Sequence, residues 1–164
     1  MLKTTLLALL APLLLLTACY DDPTVVPETM PARAWSDPIV DTFERTKVMV
    51  DGQEPETLRI EVFVVGTGEE AKKGDALRVH YTGWVKGRDA EFDSSYVRGD
   101  TITLKSLGSG EVIPGWELGL AGMREGTRAR FRIPPAMGYG TFGSPPVIPG
   151  DSHLVFDIEL LEMN

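Results

Sequence analysis

A chain of 164 residues with a net charge of −8 leaves room for one ordinary domain and some extra length. Its apolar fraction of 43% and charged fraction of 24% are those of a soluble folded protein. Residues 19–60 carry nine acids against four bases and residues 61–164 fifteen against eleven. No stretch is basic enough to hold a phosphate backbone, which argues against a nucleic-acid partner.

The first eighteen residues read as a leader. Lys3 supplies a positive start, an apolar run follows from Leu6 to Leu16, and the small residues Thr17-Ala18 precede Cys19. A run of this length is too short for a hydrocarbon core that needs about 20 residues, and suits the h-region of a signal peptide. Leu16-Thr17-Ala18-Cys19 resembles the lipobox of bacterial lipoproteins. That resemblance implies a diacylglyceryl group on the Cys19 thiol, cleavage just before it, and attachment to a membrane by lipid. A plain secretory signal and a transmembrane anchor are the alternatives. Cys19 is the single cysteine, so it has no internal disulfide partner. The expected location is the cell envelope; Tyr20 in place of an aspartate leans towards an outer membrane, facing the periplasm or the cell surface.

Residues 19–56 read as an acidic tether: Pro23, Pro27, Pro31, Pro38 and Pro55 each remove a donor and fix φ. Within it, residues 42–50 allow a short edge strand. From Leu58 the pattern changes, and residues 57–164 are the expected domain. Leu58–Val65, Ala76–Val85, Thr101–Ser106, Thr127–Ile133 and His153–Leu161 alternate or are rich in β-branched residues, and each predicts a strand. On the fourth, Arg128, Arg130 and Arg132 face outward against Ala129, Phe131 and Ile133. Pro114 opens one helix, with Trp116, Leu118, Leu120 and Met123 apolar, and Gly122 and Gly126 close it. Short connections without a βαβ rhythm predict an α+β domain, an antiparallel sheet of five or six strands. One helix cannot cover both faces of such a sheet. The sheet is therefore expected to curl around the helix, with Trp116 inside the curl.

Several motifs invite other readings. Gly138-Tyr139-Gly140-Thr141-Phe142-Gly143 matches a dinucleotide fingerprint, but Ser144-Pro145-Pro146 follows where a helix is needed. His80 and His153 lie far apart without further ligands at suitable spacing, so neither a metal nor a cofactor is expected. No nucleophile-elbow sequence supports a hydrolase triad. Glu91 and Asp93 bracket Phe92 and share the opposite face of any strand there, which reads as a solvated edge for Glu91. Tyr81, Phe92, Trp116, Tyr139 and Phe156, with Val112, Ile113 and Ile148, fall at strand ends or beside turns. The loop 138–150 holds Tyr139, Phe142, Val147 and Ile148, and an apolar loop packs over something or covers a pocket.

At this point the order of motifs becomes specific. Val79-His80-Tyr81-Thr82-Gly83, Phe92-Asp93-Ser94-Ser95, Glu111-Val112-Ile113-Pro114-Gly115-Trp116-Glu117, Tyr139-Gly140 and Leu154–Leu161 resemble the signature of the FKBP-type peptidyl-prolyl isomerases over roughly residues 57–162. The resemblance implies a proline ring seated in an apolar cup between sheet and helix. Trp116 would be its floor, Tyr81, Phe92 and Phe156 its walls, and Val112-Ile113 its rim, with Ile102 and Ile148 also touching substrate. The Ile113 amide and the Tyr139 hydroxyl would donate to substrate carbonyls, and Asp93 would pair with Arg98 at the pocket edge. Ile102 stands where many members carry an aromatic residue, and Ser144 where some carry histidine, which bears on substrate preference and macrolide affinity. The implied partners are proline-containing polypeptides and macrolide inhibitors, and the chain is expected to act as a monomer. The alternative is a lipid-tethered proline-binding chaperone whose catalysis is incidental.

Overall fold

The apolar alternation that begins at Leu58 becomes the spine of a sheet in a computed structural model, which describes residues 39–48 and 56–164. The leader, Cys19 and the tether up to residue 38 lie outside the described residues. The strands are β1 (Asp41–Val48), β2 (Glu56–Val64), β3 (Leu77–Val85), β4 (Glu91–Ser94), β5 (Ile102–Leu104), β6 (Arg128–Ile133) and β7 (Leu154–Met163). A helical turn, α1 (Ser95–Arg98), follows β4, and the helix α2 (Pro114–Leu120) lies between β5 and β6.

All pairings are antiparallel, in the order β1-β2-β6-β7-β3-β4, with β5 also on β3. Among the described residues the sheet thus has seven strands, not five or six. The additional one is β4, whose four residues include two acids and carry no hydrophobic period of their own. The edge strand expected within 42–50 is β1, paired with β2 from Asp41↔Val62 to Val48↔Glu56. The folded unit therefore starts upstream of residue 57 and takes in part of the expected tether.

The inner face buries Ile60 and Val62, Leu77 and Val79, Ala129, Phe131 and Ile133, and Ile158 and Leu160. The core runs from Leu58 to Leu160, with Met163 against it and no member further upstream among the described residues. Among the described residues the core thus lies within 56–164, all of which a chain from residue 20 onward contains. Helix α2 seats in the curl through Gly115, Trp116, Gly119 and Leu120, all buried on one face. Pro114 at its first turn lacks an N–H that would be unsatisfied there anyway.

The outer face is less solvated than alternating arginines suggest. Glu61 and Asp157 are both buried there, gripped by two-point contacts from Arg132 (2.9 and 3.0 Å) and Arg130 (2.6 and 2.9 Å). Burial pushes the Glu61 carboxyl up, but the hydrogen bond and charge of Arg132 outweigh it and hold the group below its ordinary range. Oppositely charged neighbours on adjacent strands tie β2, β6 and β7 together across this face.

Candidate active site

Strand β3 has no continuous partner on its outer edge. Thr82, Gly83 and Trp84 pair with β4, and Leu77, Arg78 and Val79 pair with β5. The helical turn α1 bulges out between them, opposite His80 and Tyr81. Ser95 fills the gap: its hydroxyl accepts from the Tyr81 amide (2.8 Å), donates to the Tyr81 carbonyl (3.1 Å) and meets His80 Nδ1 at 2.9 Å. One side chain replaces two missing ladder bonds, as buried backbone groups require. The bulge also lets Arg98 turn back towards the aromatic residues at the mouth of the curl.

Those aromatic residues form a cup. Trp116 meets Tyr81 edge-on with ring centroids 5.0 Å apart, and Phe156 at 5.3 Å. Phe156 in turn meets Phe92 edge-on at 5.5 Å. Perpendicular contacts of this kind suit aromatic quadrupoles and hold each ring in one orientation. Gly83 makes room for them. A Cβ there would lie 2.6 Å from Phe156 Cε1 and 2.8 Å from Phe92 Cζ, closer than real side chains approach.

The cavity so enclosed measures about 500 Å³ and is lined by Tyr81, Phe92, Asp93, Ile102, Glu111, Val112, Ile113, Trp116, Tyr139 and Phe156. Nine of these ten are residues to which the FKBP resemblance assigns a pocket role; Glu111 stands in its motif without one. Its carboxylate accepts from the Lys105 amide and the Ser109 hydroxyl, both at 3.1 Å. Its place directly before Val112 was the signal available. Glu117, in the first turn of α2, accepts from the amides of Gly108 and Gly110, and so ties the loop entering the helix to the helix itself.

Two expected substrate contacts sit elsewhere. Arg98 does not line the cavity. It pairs with Asp93, reaches the Tyr81 hydroxyl at 3.1 Å, and stacks its guanidinium over the Tyr81 ring at 5.5 Å. Ile148 does not line the cavity either: it is buried in the hydrophobic core, where Ser144 and Ile148 bridge and fold the loop inward.

At the mouth, Asp93 is paired with Arg98 and Tyr81, while Glu111 is held by an amide and a hydroxyl. The Tyr81 hydroxyl donates to Asp93 and accepts from Arg98. Burial, then the hydrogen bond to Asp93, raise its pKa and keep it a donor. Burial and the Asp93 charge do the same for Tyr139. Two donors on lining residues, the Ile113 amide and the Tyr139 hydroxyl, meet no acceptor among the described residues. The buried indole N–H of Trp116 also lacks a partner there. Among the described residues, no group of three or more His, Cys, Asp or Glu is placed to hold a metal ion. What remains is an aromatic cup, a carboxylate paired with Arg98 and Tyr81, and two donors without an acceptor among the described residues.

Residues 67–161 match the profile of the FKBP-type peptidyl-prolyl cis-trans isomerase family. The chain belongs to that family. An FK506-binding protein of Neisseria meningitidis is 45% identical over 106 residues, covering 65% of this chain and 95% of the relative. Peptidyl-prolyl cis-trans isomerase FKBP15-1 of Arabidopsis thaliana is 48% identical over 95 residues, 58% of this chain; the match spans 61% of that relative's length. The crystal structure of AtFKBP13 superposes with a TM-score of 0.60 at 38% identity, over 65% of this chain and 93% of that one. The antiparallel sheet with its short helix, reached above from strand patterns, is thus the FKBP fold.

Proposed function

We propose that this FKBP domain accelerates cis/trans isomerisation of X-Pro bonds in polypeptides. The observation that carries this reading is the aromatic cup of Tyr81, Phe92, Trp116 and Phe156, with two unpaired donors, the Ile113 amide and the Tyr139 hydroxyl, on residues around it. Rotation about a peptide bond costs about 18–20 kcal/mol because resonance gives the C–N bond double-bond character. In the twisted transition state that resonance is lost and the carbonyl is less polar. A water-poor apolar site therefore holds the twisted amide better than the planar one, and only such differential binding speeds the chemical step. An acceleration of about 10⁵–10⁶-fold needs ~7–8 kcal/mol of it. The two donors suit the carbonyls that flank the proline and fix the chain while the bond turns. Asp93 can sit beside the cup because Arg98 and Tyr81 compensate its charge; an unpaired carboxylate there would cost several kcal/mol.

The wider setting belongs to the same proposal. The enzyme acts as a monomer on proteins folding in the cell envelope, held to a membrane by acyl chains on Cys19, and its cup also admits macrolides such as FK506. The lipobox-like run before Cys19 supports the lipid anchor, and similarity to an FK506-binding protein of Neisseria meningitidis supports the macrolide reading.

The test is the cis/trans rate of a four-residue X-Pro peptide with residues 20–164. Acceleration is expected, reduced at least tenfold in Trp116→Ala. Because removing a buried tryptophan costs about 3–5 kcal/mol and can unfold a domain, Tyr139→Phe serves beside it. That variant should lose activity several-fold with an unaltered unfolding midpoint. A folded wild-type domain with no effect on the peptide would leave a proline-binding module without catalysis.

A further inference from the structure

Beyond the cup, the loop 138–150 carries exposed apolar residues, of which only Tyr139 enters the chemistry just described. Phe142 is 89% exposed, and Val147 and Tyr139 on the same loop are also exposed. Single exposed apolar residues are common and need no account. Three on one loop, reaching the cavity through Tyr139, are a different matter.

The loop does not present Phe142 by being slack. The Gly143 amide donates to the Tyr139 carbonyl at 3.1 Å, closing a tight turn around Phe142. Ser144 and Ile148 exchange backbone bonds of 2.8 and 3.0 Å, and the Asp151 amide donates to Gly140 at 2.9 Å. Gly143 has φ +68, and a Cβ there would lie 2.5 Å from the Pro149 carbonyl carbon. Ile148 plugs the loop into the core, and Arg88 Nη1 reaches the Val147 carbonyl at 3.4 Å from the turn before Phe92. The phenyl ring is thus held in water by a braced loop, one turn from a residue lining the cup.

We infer that Phe142, flanked by Tyr139 and Val147, is a second grip for substrate. It takes an apolar side chain of an extended, unfolded polypeptide about four residues from the proline, at ~3.3 Å of reach per residue. This rests on the isomerase reading and adds a class of substrate to it: unfolded protein chains in preference to short peptides. A four-residue peptide ends before it can use the grip, whereas an unfolded chain continues across it.

The experiment compares kcat/KM for two substrates with residues 20–164. One is the four-residue X-Pro peptide, the other an unfolded protein whose refolding is limited by one prolyl step. Phe142→Ser is expected to lower the ratio of unfolded protein to peptide about fivefold, roughly 1 kcal/mol of apolar contact. Phe142→Leu should restore most of the ratio. Val65→Ser, which removes an exposed apolar residue on the β2 side of the domain, should leave the ratio at the wild-type value. A ratio within twofold of wild type in Phe142→Ser would overturn the inference, as would an equal fall with Val65→Ser. Should the wild-type chain accelerate neither substrate, the isomerase reading falls first and takes the inference with it.

Discussion

Ser95 stands opposite the point where β3 loses its edge partner, and its hydroxyl serves both the amide and the carbonyl of Tyr81. Tyr81 is the wall residue that holds Asp93 and packs on Trp116, so Ser95 positions the cup without lining it. Burial keeps the neighbouring His80 imidazole below its ordinary pKa. At neutral pH the ring is therefore uncharged and can share a hydrogen bond with the serine. Replacing Ser95 by alanine would strand a buried amide and carbonyl, a loss of about 1–3 kcal/mol. The expected result is a lower urea midpoint at unchanged slope, together with reduced peptide isomerisation. An unchanged midpoint would mean that water or a backbone shift satisfies Tyr81 instead. From sequence Ser95 was only the last letter of a motif. The bulge that makes it necessary is a property of strand pairing, which one strand's residues do not disclose.

Helix α2 shows the same limit one level up. Gly115 and Gly119 look like weaknesses in a short helix, since glycine costs about 1 kcal/mol relative to alanine in a helix interior. In place, they are the reason Trp116 reaches the cup. A Cβ on Gly115 would lie 2.6 Å from Ile133 Cγ2, and one on Gly119 would overlap Phe131 Cε2 and stand 2.7 Å from two further ring atoms. Propensity favours Gly119→Ala by about 1 kcal/mol, while overpacking against a fully buried ring typically costs ~1–3 kcal/mol or more. Packing should win. The variant is expected to unfold at lower guanidinium and to bind substrate less well as Trp116 shifts; a variant more stable than wild type would refute this account of the helix seat. The alternation in β2, β3, β6 and β7 was readable because each strand buries one face over several residues. Strand β4 was not, since its four residues take their register from β3 rather than from a hydrophobic period of their own. The lining residues were named through ordered motifs, but the inward turn of Ile148 depends on a bridge within its loop that composition does not reveal.

At the scale of the whole molecule, the proposed membrane attachment must be reconciled with an acidic domain. Residues 61–164 carry fifteen acids against eleven bases, and the stretch before them is acidic too. An anionic leaflet would repel such a surface, given that attraction to it comes from clustered lysine and arginine, at about 1 kcal/mol each. Among the described residues, no helix is long and apolar enough to cross a bilayer. Attachment, on the proposed reading, then falls to acyl chains on Cys19, the only thiol in the chain. A single chain gives marginal, reversible binding, whereas two or more give stable anchoring. Expressed at full length in a bacterium with lipoprotein processing, the protein should sediment with membranes, resist a high-salt wash, and leave only in detergent. Cys19→Ser should move it to the soluble fraction, or leave an uncleaved precursor, with peptide isomerisation by the folded domain unaltered. A serine variant that sediments as the wild type does, with its leader removed, would show that the thiol is not the anchor. The domain would then have to be held by a bound partner.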